Sequence, residues 1–297
     1  CALPILDTCC YLEKHHKQIT YLSVDRSGRI SLEELKGAIT DKTVLVSIMF
    51  ANNEIGTLQP IAEIAKITKS HGVLLHVDAA QAVGKIPVHV GQLGIDLMSF
   101  SAHKMYGPKG VGALYVRHKD PHVRVTPLLH GGGHERGLRS GTLNVPGIVG
   151  FGKACEIAGK EMAGESERVK ELRDYLEAGF KQELDHVYTN GHPTERLPNN
   201  LNMSFAYIEG ESLLMGISNE VAVSMGSACA SGSHELSHVL KALGLEGYLV
   251  HSAIRFGLGR FNTKEEVAYV LRRVTDEVKR LRTMSLLYQE ITKGGTK

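Results

Sequence analysis

Between Thr20 and Arg117 short apolar runs of strand length alternate with a segment of helical spacing, and this alternation constrains the fold more than any other feature. Val44–Phe50 is such a run. Ile61–Ser70 follows, with Ile61, Ile64, Ala65 and Ile67–Thr68 at helical spacing. Val73–Val77, Asp96–Phe100 and Gly112–Val116 are further runs, bounded by Gly, Asp or Pro. Strands that are apolar on both faces and separated by helices belong to βα units, so the pattern predicts an α/β fold with a mainly parallel sheet. Val149 to about Leu184 reads as a helix with charge on one face. After Asn190-Gly191 the texture changes to strand (Leu201–Phe205), helix (Glu211–Ile217), helix (Leu236–Leu243), strand (Ala253–Gly257) and a last helix from Thr263. The expected organisation is a large domain over residues 1–160 and a smaller α+β C-terminal domain over 161–297.

With 42% hydrophobic and 22% charged residues among 297, the chain can bury a core, which excludes wholesale disorder. Its 34 basic and 32 acidic residues leave a formal charge of +2, too little for gripping nucleic acid or an anionic membrane. The best apolar candidate, Thr43–Ala51, is far shorter than the ~18 residues of a membrane span. Five cysteines, an odd number without a Cys-x-x-Cys pair, favour a reducing compartment over a disulfide scaffold. The first residue is Cys1, no targeting segment precedes the fold, and the chain reads as a fragment.

The chemistry concentrates in a few motifs. Asp78, in Val77-Asp78-Ala79-Ala80-Gln81, ends an apolar strand, and the C-terminal edge of a parallel sheet is where ligands bind in open α/β folds. Alone it reads more readily as a helix N-cap. Ser99-Phe100-Ser101-Ala102-His103-Lys104 leaves a neighbouring strand end, and desolvation of a lysine there makes its amine available as nucleophile and base. Pyridoxal phosphate requires a lysine for the Schiff base, an acid at its ring nitrogen and donors for its phosphate. Lys104, Asp78 and the pair Ser101 and His103 meet those needs, and Gln81 is placed for the ring hydroxyl. Asn53, in Asn52-Asn53-Glu54-Ile55-Gly56, follows the Val44–Phe50 strand and reads as a contact to cofactor or substrate rather than a plain turn. Arg255, in an otherwise apolar strand, admits a structural ion pair or a clamp on a substrate carboxylate, and the clamp is favoured. Cys229 lies in the small-residue run Ser224–Ser233, as a thiol that must reach into a site would, whereas Cys155 reads as core packing in a helix.

Taken together these stretches resemble the housekeeping cysteine desulfurases of bacteria and mitochondria, enzymes of the class-V aminotransferase fold. The likeness is carried by Val46–Met49, Asn52–Gly56, His76–Gln81, Asp96–Lys104, Tyr106–Gly112, Gly131–Thr142, Ser204–Leu214, Gly226–Cys229 and Ile254–Phe261. The resemblance implies the type I fold of pyridoxal-phosphate enzymes and removal of sulfur from L-cysteine, leaving alanine and an enzyme persulfide. It implies Lys104 as the cofactor-bearing lysine, Asp78 on the pyridine nitrogen, Gln81 on the hydroxyl, and Ser101 and His103 on the phosphate. Thr142 would reach the phosphate of a second subunit in a homodimer. Asn53 and Arg255 would hold the substrate carboxylate, and Cys229 would take up the sulfur. Delivery to an iron–sulfur scaffold and other acceptors follows, with Cys229 a transient cluster ligand and the chain holding no metal of its own. The setting would be the mitochondrial matrix or the bacterial cytoplasm. Relative to the family roughly 100 residues are missing at the front, including a Gly-Thr segment that donates to the phosphate, and Ala2 stands where the family has a ring-stacking His. Poor cofactor binding by this polypeptide is therefore expected. Two rival readings share the motifs: another pyridoxal-phosphate lyase or aminotransferase, such as a selenocysteine lyase, and an inactive fragment that only binds desulfurase partners.

Three motifs read as decoys. His234-Glu235-Leu236-Ser237-His238 fits the zinc-protease pattern but starts next to Gly232-Ser233, where a stable helix is not expected. Ser23–Glu34 mimics a calcium loop, yet Ser23 stands where its first carboxylate belongs, so a turn before a helix capped at Ser31 is the better reading. Gly131–Gly137 lacks the strand–Gly–helix setting of a nucleotide loop.

Overall fold

A computed structural model describes residues 3–226 and 237–294. Along the chain come α1 (Leu3–Lys14), α2 (Leu32–Ala38), β1 (Leu45–Met49), α3 (Ile61–Ser70), β2 (Leu74–Asp78), β3 (Leu97–Ser101), β4 (Gly112–Val116) and the long α4 (Val145–Glu183). Then follow β5 (Val187–Thr189), β6 (Asn200–Phe205), α5 (Gly210–Ile217), α6 (His238–Ala242), α7 (Gly247–His251), β7 (Ala253–Gly257), α8 (Lys264–Thr283) and α9 (Leu286–Gly294).

The described chain forms two compact bodies. One comprises Leu32–Ala51 and Gln59–Ala163 and holds a sheet of order β1-β2-β3-β4. The pairs β1–β2 and β2–β3 are parallel, as the buried apolar runs require. β3–β4 is antiparallel, because the ten residues between the two strands are too few for a parallel crossover. Residues alternate across the sheet, so Leu75 and Val77 point to one face and are fully buried. The stripe of buried residues on α3, Ile61, Ile64, Ala65 and Thr68, has the i, i+3, i+4, i+7 spacing of a core-facing helix. The opposite face carries Ser47, His76, Asp78, Ser99 and Ser101.

The other body comprises Cys1–Ser31, Asn52–Leu58 and Gly164–Lys297. Its antiparallel sheet, β5-β6-β7, buries every residue of β6. Phe180, Phe205 and Phe256 meet edge-on or tilted in its core, with ring centroids 5.3–6.3 Å apart. Helix α8 begins with a capping box: Thr263 Oγ1 accepts from Glu266 N, and Glu266 returns a bond to the Thr263 amide.

The expected division between residues 160 and 161 compares with a boundary between Ala163 and Gly164, inside α4. The early chain divides differently from the expectation, since Cys1–Ser31 and Asn52–Leu58 pack with the C-terminal residues. Thr57 Oγ1 donates to the Ser27 carbonyl at 2.7 Å and accepts from the His192 amide at 2.9 Å. Ile55, 1% exposed, joins Leu240, Leu243 and Val250 in one cluster. Burying such a side chain contributes about 1.5–3 kcal/mol, a force that sequence distance does not weaken. Cys155 corrects another expectation: it lies on the exposed side of α4, not in the core. The Ser23–Glu34 segment is a turn running into α2, as expected, closed by Asp25 Oδ1 accepting from the Ser27 and Arg29 amides. No helix among the described residues is long and apolar enough to cross a membrane.

Candidate active site

In the parallel-sheet body β2 and β3 run in the same direction, so their C-terminal ends lie at one edge. Asp78 closes β2 opposite Ser99. Two residues later β3 ends at Ser101, and a single 3-10 turn, Ala102–Met105, carries His103 and Lys104. The sequence therefore folds so that the acid and the lysine leave adjacent strands at the same edge. Two features hold the lysine-bearing turn against the chain after β2. Gly84 has φ +77°, and a Cβ there would stand 2.9 Å from Met105 Cβ, a separation only glycine permits. Ala79 N also donates to the Ser99 carbonyl at 2.9 Å, continuing the ladder past the end of β2. Directly after the turn Tyr106 takes the left-handed conformation (φ 64°, ψ 16°), which redirects the chain at a cost of roughly 1–2 kcal/mol. Strain of that size persists where packing over-determines it.

Asp78 is half-buried, and its Oδ1 accepts from Ala80 N at 3.0 Å. That bond orients the carboxylate. Gln81 sits on the turn after β2, where its Oε1 accepts from Lys85 Nζ at 3.0 Å, which leaves its amide N–H groups to donate. Lys104 and Ser101 are half-buried and His103 is exposed. Thr142 is exposed in the loop before α4. An oriented acid and a lysine, serine and histidine at one sheet edge match the donor set that pyridoxal phosphate needs.

Asn53 and Arg255 are brought together in the antiparallel body although 202 positions separate them: Arg255 Nη1 donates to the Asn53 carbonyl at 3.0 Å. Arg255 Nη2 donates to Ser224 Oγ at 2.8 Å, and the two backbones form a bridge there. The Asn53 Oδ1 is buried without a partner. Cys229 lies outside the described residues, as does the first part of the His234–His238 pattern. Among the described residues no group of three or more His, Cys, Asp or Glu side chains could hold a metal.

Sequence reasoning passed over two side chains. Glu54 is 1% exposed, accepts from Ser237 Oγ at 2.6 Å through Oε2, and stands where a Cβ on Gly226 (φ +71°) would come within 3.2 Å of that oxygen. The described residues on either side of the Cys229 segment thus meet at one buried carboxylate. Only a carboxylate inside the otherwise uncharged Asn52–Gly56 stretch signalled it. His76, two positions before Asp78 and on the same face, is bonded to a serine on each neighbouring strand. Its period-two relation to Asp78 was visible in the sequence.

Residues 9–270 match the model of the aminotransferase class-V family. The chain belongs to that family. Within it, the chain is 55% identical to a cysteine desulfurase IscS of Anaeromyxobacter sp. over 290 residues, 98% of this chain and 71% of that one. The cysteine desulfurase IscS of Ehrlichia chaffeensis is 51% identical, again over 98% of this chain and 70% of the relative. Among solved structures of the class-V fold, a NifS-like protein superposes with a TM-score of 0.85 at 41% identity, covering 93% of this chain and 72% of its own.

Proposed function

We infer that this class-V aminotransferase is a pyridoxal-phosphate-dependent cysteine desulfurase. The observation that carries the reading is Lys104 and Asp78 leaving adjacent parallel strands at one edge, in a chain 55% identical to a named desulfurase over 290 residues. When bound, pyridoxal phosphate supplies an electron sink that acidifies the Cα proton of an amino acid and loosens its sulfur.

The protein's residues supply the rest. Lys104 would anchor the cofactor and would move the proton at the substrate Cα. The Asp78 carboxylate would face the ring nitrogen, Gln81 would donate to the ring hydroxyl, and Ser101 and His103 would hold the phosphate. Arg255 and the Asn53 amide orient the substrate carboxylate, the guanidinium by a charge-assisted pair. The Cys229 thiolate attacks the substrate sulfur: a sulfur–sulfur bond forms, the carbon–sulfur bond breaks, and its electron pair is protonated at carbon to give alanine. A thiol near its ordinary pKa is only a few per cent ionised at neutral pH, so neighbouring cations must assist.

We assign the persulfide to iron–sulfur cluster assembly, in the cytoplasm of a bacterium or in the mitochondrial matrix of a eukaryote. The working unit is a homodimer in which Thr142 meets the phosphate of the second subunit. Two variants of the holoenzyme test the reading with L-cysteine. Cys229→Ala should keep the cofactor absorbance and lose persulfide labelling, and Lys104→Ala should lose both turnover and covalent cofactor. Persulfide-independent turnover by Cys229→Ala would instead identify another lyase of the same fold, and a chain that still takes up no cofactor once the front segment of its relatives is restored would be a partner-binding fragment.

A further inference from the structure

Beneath Asp78 a hydrogen-bonded chain of side chains crosses three strands. Ser47 on β1 is directly opposite His76 on β2, and its Oγ lies 2.8 Å from His76 Nδ1. On the other side His76 Nε2 lies 3.1 Å from Ser99 Oγ on β3, and Ser99 is the register partner of Asp78. Both ring nitrogens are thus engaged by hydroxyls. Because strand side chains alternate, His76 and Asp78 share a face, roughly 6.5–7 Å apart along the strand.

We propose that His76 is a positioning residue for Asp78: bridged to Ser47 and Ser99, the imidazole forms a fixed floor under the carboxylate and so determines how firmly that carboxylate holds the cofactor's ring nitrogen. The inference rests on the assignment of Asp78 to that nitrogen. One Asp78 oxygen is already committed to Ala80 N. The remaining oxygen serves the ring nitrogen only if nothing cationic below competes for it. Burial lowers the pKa of His76 from its ordinary 6.5, against the pull of the Asp78 charge, so the ring is neutral at neutral pH. A neutral ring flanked by two hydroxyls donates one hydrogen bond and accepts one, which the two serines satisfy. Nothing is then left over to draw Asp78 away, and the ring cannot turn without breaking both bonds.

The test measures cofactor affinity of the apoenzyme by equilibrium titration, with melting temperature recorded alongside. His76→Phe keeps the volume and removes both bonds, and should weaken cofactor binding about tenfold. His76→Gln retains a polar end on each side and should weaken it two- to threefold. Ser47→Ala with Ser99→Ala releases the ring without touching it and should fall between, which keeps the proposal testable where His76→Phe fails to fold. The deciding measurement is a double-mutant cycle with Asp78→Asn: if His76 acts through Asp78, its effect on affinity disappears in that background. Additive effects, or affinity within twofold of the parent in both His76→Phe and the double serine variant, overturn the proposal. A lower melting temperature with unchanged affinity shows a structural role only and overturns it as well. Should Asp78→Asn itself leave cofactor affinity intact, the assignment of Asp78 fails instead, and with it the ground on which His76 was placed.

Discussion

The two bodies of this molecule assemble functional groups in opposite ways. In the parallel-sheet body Asp78, Ser101, His103 and Lys104 fall within 27 positions, and parallel strands deliver them to one edge as a consequence of direction alone. In the antiparallel body Asn53, Ser224 and Arg255 come from segments up to 202 positions apart, joined by bonds to backbone carbonyls and a hydroxyl. The first arrangement is set mainly by strand direction, with one close approach, Gly84 on Met105, behind the lysine-bearing turn. The second depends on each close approach being kept.

The contrast can be broken experimentally, and the largest effect belongs to the sheet edge. Lys104→Ala should lower turnover by on the order of 10³-fold or more, as removal of a nucleophile does, with little change in the denaturation midpoint. An equal loss of stability would mean that the edge is as dependent on packing as the other body. Gly191→Ala should do the reverse. Gly191 has φ +96°, and a Cβ there would sit 2.6 Å from the Ile55 carbonyl oxygen, so the segment holding Asn53 must shift. A stability loss of about 2–3 kcal/mol in urea is expected, from backbone strain and overpacking together. Close to parental stability would show that Asn52–Leu58 is not held by close packing.

Arg255→Ala probes the second body within the reaction. Charged hydrogen bonds contribute about 1.5–3 kcal/mol each, so kcat/KM for L-cysteine should fall about 10- to 100-fold, mostly through KM. Arg255→Lys should recover only part of the loss, since an ammonium lacks the planar fork. A full recovery would reduce the clamp to a point charge.

The smallest expected effect is a pH dependence on the face beneath Asp78. The folded-state pKa of His76 lies below the unfolded value of 6.5, so as pH falls the unfolded chain takes up this proton first. The stability contributed by the neutral buried ring is present above 6.5 and is lost as pH drops through that value toward the lower folded one. Stability curves of parent and His76→Gln between pH 5 and 8 should therefore converge on the acid side. Parallel curves would remove His76 from the titration.

Strand placement was legible because its determinants are local. Ile61–Ser70, Gly112–Val116 and Ala253–Gly257 match their elements residue for residue, since apolar period and flanking breakers act over a few positions. The start of the last helix at Thr263 was legible in the same way. Asp78 and Lys104 were legible for the same reason. The exposure of Cys155 was not, because which side of α4 meets the core depends on partners elsewhere in the chain. Glu54 escaped notice because its burial is produced by residues near 226 and 237, and nothing beside it in sequence announces them.

Taken by itself, the sequence determined the order of strands and helices and the convergence of an acid and a lysine on one sheet edge, because strand direction and side-chain alternation are short-range properties of the backbone. The packing of Asn52–Leu58 with residues near 190 and 240, the bond from Arg255 to the Asn53 carbonyl and the bridging of His76 on both sides arise from long-range folding. These depend on which distant surfaces exclude water together, and apolar burial is indifferent to distance along the chain.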